Sequence, residues 1–193
     1  MAPREPRPVY PVFLRLESER VLVVGAGTVA AGKLAGLVAA GARITIVAPA
    51  IADACRRPGI TLVERAVIEA DLDAVRFVIA AATPEVNRAV AGWARARNLF
   101  VNAVDDADTA SAYLGGVVRR GGVTVAISTG GAAPALAALL RESLDALLPE
   151  DLDQWLAEAG SRREVWRASG LDLGARRELL RQVLTRKPEG EPS

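Results

Sequence analysis

One stretch constrains the chain more than any other: Arg20–Val47, which reads RVLVVGAGTVAAGKLAGLVAAGARITIV. An apolar run, Val21–Val24, meets Gly25-Ala26-Gly27-Thr28-Val29-Ala30, a helical pattern runs on to Gly41, and a second apolar run, Ile44–Val47, closes the unit. Strand, glycine turn, helix and strand in this order form the βαβ unit that binds a dinucleotide. Gly25 permits the tight turn off the strand, and Gly27 lets main chain approach a pyrophosphate. Ala30 stands where a third glycine often lets the helix pack close, and the opening helix turns its free amides and positive dipole end toward the phosphates. The acid that usually follows the second strand to bind the ribose is absent: that place reads Val47-Ala48-Pro49-Ala50. No arginine follows at once to take a 2′-phosphate, so NAD and NADP are not distinguished by these residues.

The rest of the chain extends the same layout. Strands are expected at Ile60–Glu64, Arg76–Ala82, Leu99–Val104 and Val123–Ile127, and a weakly alternating edge strand at Tyr10–Leu16. A short helix is expected at Ile51–Arg57 and a short helical turn from Asp71. A longer helix follows Thr83-Pro84-Glu85, with Thr83 as N-cap and Pro84 at the first helical position. Strands alternating with helices predict an α/β fold, a Rossmann-like, doubly wound, mostly parallel sheet. Ligands then bind beyond the carboxyl ends of the strands, where the loops at Gly25–Ala30, Ala82–Pro84 and Asp105–Ser111 share an edge.

Past the sheet, Pro134–Leu148 reads as a helix with an apolar stripe of Leu136, Leu139, Leu140, Leu144, Leu147 and Leu148. Such a stripe suits a core or a dimer face. Asp151 is expected to cap the next helix, and a last helix is expected from about Asp172 to Arg186. The expected divisions are a nucleotide-binding domain over 1–112, a segment over 113–148, a helical domain over 149–186 and a disordered tail over 187–193.

Composition removes whole classes of chemistry. The 193 residues contain no histidine, which excludes Ser-His triads and the commonest general base and metal ligand. Cys55 is the single cysteine, so no intramolecular disulfide or thiolate cage forms within one chain; it serves as a small buried residue or a reactive thiol. A net charge of +1 offers no balance suited to nucleic acid. No apolar run reaches the length of a membrane-spanning helix, and the opening MAPREPRPVYPVF lacks a signal-peptide core, so a cytoplasmic location is expected.

Two places can carry chemistry. Asp105 and Asp106 follow an expected strand at the nicotinamide side, where a carboxylate acts as general base or, equally, helps form a solvated turn with Asp108. Ser128-Thr129-Gly130-Gly131 precedes a helix and reads as an anion site or as a plain capped turn. The C-terminal arginines, Arg162, Arg163, Arg167, Arg176, Arg177, Arg181 and Arg186, form a solvated face or, in part, a site for a substrate with several carboxylates.

The segments YPVFLRL, VLVVGAGTVAAGKLAGLVAAGARITIVAP, FVIAAATPEVN, FVNAVDDADTASAY and VAISTGGAAPALAALLRESLDALLP together resemble the precorrin-2 dehydrogenase and sirohydrochlorin ferrochelatase family, the N-terminal part of siroheme synthases. The resemblance runs from Tyr10 to Pro149. It implies NAD-dependent oxidation of precorrin-2 to sirohydrochlorin, insertion of Fe2+ as a second activity, and a homodimer built on the segment after the Rossmann-like domain. It implies that Asp105 is catalytic, that Gly25, Gly27, Thr28, Val29, Pro49, Ala50 and Thr83 contact NAD, and that Ser128 lines the tetrapyrrole site; Thr129, Gly130 and Gly131 beside it are expected to help hold the macrocycle. Without histidine and with one cysteine, no resident metal site is expected. The family's usual VAP-type sequence also accounts for the missing acid. Tyr113, Gly116, Ala133, Ala138 and Ser143 depart from the family pattern at substrate or dimer positions. Gly25–Ala30 and Asp105 do not. The rival expectation is a module that senses NAD(H) without catalysis.

Overall fold

The computed structural model describes residues 9–104, 106 and 108–185, which form two compact units, one reaching Leu114 and including Gly130–Ala132, the other holding Gly115–Thr129 and the chain from Ala133 on. In the first unit β1 (Arg20–Val24), β2 (Arg43–Ala48), β3 (Thr61–Glu64), β4 (Phe77–Ala80) and β5 (Phe100–Ala103) make one parallel sheet in the order β3-β2-β1-β4-β5. β1 pairs with β2 on one side and β4 on the other, so the chain's winding reverses there. That reversal opens the crevice in which α/β sheets bind ligands.

The strands alternate, and each face is buried by a helix. Val21 and Val23 of β1, Ile44 and Ile46 of β2, and Phe77 and Ile79 of β4 pack with Leu34 and Leu37 of α1 (Thr28–Ala39). Leu22, Val24, Val47, Val78 and Val101 point the other way and pack with Val90, Ala91 and Ala94 of α2 (Pro84–Ala96). A period of two on both faces is the sequence record of a strand buried on both sides. The doubly wound, Rossmann-like expectation holds.

Four expectations are corrected. Tyr10–Leu16 is not a strand: Pro11 lacks a donor, Tyr10 and Phe13 are exposed, and Leu16 alone enters the core. Ile51–Arg57 shrinks to one 3₁₀ turn, Asp53–Cys55. Val123–Ile127 does not end the parallel sheet. As β7 it pairs antiparallel with β6 (Gly116–Arg120) in the second unit. Gly121 and Gly122, both at positive φ, make the two-residue hairpin loop, as a turn of this length demands. Asp151 precedes α4 (Leu152–Ala168) without capping it, because its carboxylate accepts the Trp155 indole N–H at 3.2 Å. By contrast, Thr83 caps α2 through the Val86 amide with Pro84 at the first position, and the last helix is α5 (Leu173–Thr185).

α3 (Pro134–Leu147) lies on the hairpin, where a side chain at Gly116 would press the Ala137 carbonyl at 2.9 Å. Arg120 fastens the two, its guanidinium reaching the Asp145 carboxylate at 2.8 Å and the Leu148 carbonyl at 2.5 Å. Only Ala137 of α3 is buried; Leu136, Leu139, Leu140 and Leu147 are 41–76% exposed. Among the described residues, those four leucines are not part of a buried core. The first eight residues and those from 186 on, including the expected tail, lie outside the described residues. Among the described residues no helix is long and apolar enough to cross a membrane.

Candidate active site

The glycine turn stands at the carboxyl end of β1, at the reversal of the sheet. The Gly25 amide donates to the Val47 carbonyl at 2.9 Å, and the Ala81 amide to that of Val24 at 2.8 Å. Gly25 sits at φ +95°, and a Cβ there would lie 2.2 Å from the Ala81 carbonyl oxygen. Only glycine allows β4 to leave the sheet so close to the turn. Behind the turn, the Ala26 carbonyl accepts the Ala52 amide at 3.2 Å and the Cys55 thiol at 3.3 Å. Because a trans peptide is planar, a carbonyl held inward turns the Gly27 N–H outward.

Gly27 is the N-cap of α1, in extended backbone and without a side-chain cap. The helix carries no acid in its first turn, and its first internal bond runs from the Ala31 amide to the Gly27 carbonyl at 3.0 Å. Nothing lies within 4 Å of where a Gly27 Cβ would be, and Thr28 and Val29 are exposed. Among the described residues the site is therefore an open helix N-terminus with no side-chain cap and no acid in its first turn, which fits a dinucleotide's pyrophosphate. Pro49 and Ala50 lie exposed just past β2, between buried Ala48 and Ile51, and Thr83 lies exposed past β4. The sheet thus brings Gly25–Val29, Pro49, Ala50 and Thr83 to one edge.

Asp105 lies outside the described residues. Its neighbour Asp106 accepts the Asp108 and Thr109 amides, each at 3.2 Å. Desolvation pushes the Asp106 carboxyl up, but hydrogen bonds from the Thr109 side chain and the Thr109 and Asp108 amides, with the Arg88 charge, outweigh it and hold the pKa below the usual value. Asp106 is an ionised turn residue, the solvated-turn role the sequence left open.

Ser128 and Thr129 follow β7 in the second unit, and the Thr129 hydroxyl accepts the Ala133 amide at 3.2 Å ahead of α3. Gly130 and Gly131 between them have φ of +61° and +80°. Among the arginines, Arg162 pairs with Glu158 and Arg181 with Glu178, while Arg177 and Arg181 line a crevice of about 270 Å³ with Trp155, Leu180 and Leu184. Among the described residues no group of three His, Cys, Asp or Glu side chains is placed to hold a metal ion.

Sequence reasoning missed Cys55, Asn87 and Asn102 as residues of this edge. Asn87 gave one signal, a polar residue three before Val90 and four before Ala91 on the buried face of α2.

Fold and turn together define a Rossmann-like dinucleotide-binding domain followed by a hairpin-and-helix unit. Residues 12–116 match the family model described as "Putative NAD(P)-binding", and residues 120–147 the one described as "Sirohaem biosynthesis protein central". The first match covers more than half of the chain, and the chain belongs to that NAD(P)-binding family. The resemblance read from the sequence holds. Siroheme synthase of Chromobacterium violaceum is 37% identical over 180 residues, which cover 91% of this chain and 38% of that protein. Siroheme synthase of Gluconacetobacter diazotrophicus is 40% identical over 193 residues, covering 94% of this chain and 40% of that protein. The chain thus spans about two-fifths of the length of these curated relatives. Among solved structures, SirC, a precorrin-2 dehydrogenase, is similar with a TM-score of 0.69 and 27% identity, covering 91% of this chain and 89% of that one.

Proposed function

We propose that the chain is an NAD-dependent dehydrogenase that oxidises precorrin-2 to sirohydrochlorin. What carries the reading is an open glycine turn at the sheet's switch point in a chain similar, over nearly its whole length, to a precorrin-2 dehydrogenase. When bound, NAD+ supplies the hydride acceptor. The Gly25–Val29 main chain holds the pyrophosphate, Pro49 and Ala50 border the adenosine, and Thr83 borders the nicotinamide. Removing two hydrogens from the macrocycle as hydride and proton requires a base. Asp105 is assigned that role, and the engagement of Asp106 in its own turn supports the choice between the two. Ser128, Thr129, Gly130 and Gly131 hold the macrocycle.

Insertion of Fe2+ into sirohydrochlorin is part of the proposal, with the tetrapyrrole nitrogens as ligands and Asp105 taking pyrrole protons. The functional unit is a homodimer in the cytoplasm. The exposed leucine stripe of α3 supports the dimer, because a large unpaired apolar face is the ordinary mark of an interface.

One anaerobic assay tests the reading: precorrin-2, NAD+ and Fe2+ are mixed with the protein, and NADH, sirohydrochlorin and siroheme are followed separately. NADH and sirohydrochlorin should appear together, and siroheme only when Fe2+ is present. Asp105→Ala should stop NADH release while NAD+ still binds. Wild-type protein that leaves precorrin-2 unchanged overturns the dehydrogenase, and full turnover by the variant overturns the role of Asp105.

A further inference from the structure

Among the described residues, the buried polar side chains are two amides, Asn87 at 3% exposure and Asn102 at 8%. A buried amide costs free energy unless it is bonded, so where these bonds go is informative. Both go to main chain, and both go to the ends of one loop. Asn87, in the first turn of α2, accepts the Ala82 amide at 2.9 Å and donates to the Val104 carbonyl at 3.5 Å. Val104 is further pinned by its own amide, which donates to the Ala80 carbonyl at 2.9 Å. At the other end, Asn102 donates to the Ala112 carbonyl at 2.9 Å. Beside it the Ser111 hydroxyl accepts the Val101 amide at 2.9 Å, and the Ser111 and Ala112 amides both return to the Val101 carbonyl.

We infer that Asn87 is a positioning residue of the reaction, and that with Asn102 it clamps both ends of the 104–112 loop to the sheet edge beside Ala82 and Thr83. A leucine or valine at position 87 would fit the apolar face between α2 and the sheet, since Val90, Ala91 and Ala94 continue that face. An amide there adds a side-chain link between the Ala82 and Val104 segments, beyond the one main-chain bond by which the Val104 amide reaches Ala80. The loop after β4 borders the nicotinamide in the proposed site, and Val104 directly precedes Asp105 in the chain. Asn87 therefore couples the cofactor side of the site to the base side. For its kinetic readout the inference rests on the proposed dehydrogenase.

The test compares Asn87→Asp, Asn87→Leu and Val90→Ala. Asn87→Asp keeps the acceptor for Ala82 and removes the donor to Val104; Asn87→Leu removes both. Val90, fully buried on the same helix, supplies a destabilised variant with the clamp intact. Amide hydrogen exchange over residues 100–112 should quicken about tenfold or more in both Asn87 variants and not in Val90→Ala. In turnover, kcat should fall about ten- to a hundredfold in Asn87→Asp while the KM for NAD+ stays within about twofold. Val90→Ala, assayed below its unfolding transition, should keep its kcat. Unchanged exchange in both Asn87 variants overturns the clamp, as does an equal loss of kcat in Val90→Ala. If wild-type protein releases no NADH, the dehydrogenase reading fails on its own and the exchange pattern alone decides the clamp.

Discussion

Replacing Gly27 and Gly25 in turn with alanine separates cofactor binding from folding, because the two glycines exist for different reasons. Gly27 has extended backbone and nothing within 4 Å of an added Cβ. A methyl there meets no protein atom, and the small N-cap preference for glycine offsets the gain in chain stiffness, so stability should stay within about 0.5 kcal/mol. The methyl does occupy the space over the turn that a pyrophosphate would use. Affinity for NAD+ should fall about tenfold or more, equivalent to about 1.4 kcal/mol. Gly25 behaves oppositely. At φ +95° an alanine is strained by about 1–2 kcal/mol, and its Cβ lies 2.2 Å from the Ala81 oxygen and 2.7 Å from the Ala81 carbonyl carbon. Those are main-chain atoms leaving β4, so the clash is relieved only by moving the strand exit, at about a further 1–3 kcal/mol. The sum, about 2–5 kcal/mol, should lower Tm by roughly 5–15 °C. Calorimetric NAD+ titration and thermal unfolding read both variants. A Gly27→Ala protein that binds NAD+ as tightly as wild type would refute the reasoning about the open turn. A Gly25→Ala protein with unchanged Tm would refute the close approach of β4.

Further outcomes follow from single contacts. Thr83→Ala should cost about 0.5–1 kcal/mol, at the low end of capping because the Val86 amide is 3.5 Å away, and thermal unfolding checks it. Cys55 is fully buried, and burial outweighs nearby Arg57 in pushing its thiol pKa up. Iodoacetamide should therefore label it only in denaturant, and rapid labelling of native protein would contradict this. The Asp71 carboxyl is held below its usual value first by the Arg65 guanidinium, at 2.6 and 2.7 Å, against desolvation, and then by the Ile68 amide. A depressed folded pKa gives stability that is present above the unfolded value near 3.8 and lost as pH falls through the folded value. Asp71→Asn should accordingly be less stable than wild type at neutral pH, with the gap closing below about pH 4 in chemical denaturation. Leu139→Glu with Leu147→Glu should halve the sedimentation mass of the proposed dimer, and a wild-type protein that sediments as a monomer rejects the dimer.

The sequence made the Arg20–Val47 unit readable because its apolar spacing changes sharply, from a strand run to a helix pattern and back, at glycines. β4 and β5 were readable as short apolar runs between polar turns. β6 was not, since Gly116–Arg120 is short and ends in two arginines. The Gly121-Gly122 pair that makes the hairpin was present in the sequence without a recognised strand before it. The α3 stripe shows a second limit: periodicity reports that a face is apolar and is silent on what covers it. Asn87 and Asn102 show a third. Their partners are carbonyls and amides whose own side chains say nothing, and Val104 lies 17 residues from Asn87 along the chain.

As proposed, the dinucleotide site lacks a ribose-binding acid and is still a coherent site. Its proposed recognition face is main chain: the outward Gly27 N–H and the first amides of α1, with no side-chain cap and no acid in the first turn among the described residues. What orients that face lies behind it, where Ala52 and Cys55 draw the Ala26 carbonyl inward. Side chains enter chiefly as volumes to be kept small, at Gly25, Ala26, Gly27 and Ala30, and such a site leaves a signature of small residues instead of charged ones. In the proposed reading, a pyrophosphate there would meet fixed dipoles that need no reorganisation on binding. In that reading, selectivity for the rest of the dinucleotide would fall to the exposed residues past β2 and β4. The orientation of the turn therefore depends on groups that never touch the ligand. A disturbance at Ala52 or Cys55 should reach cofactor affinity through the Ala26–Gly27 peptide plane, with the glycines themselves intact.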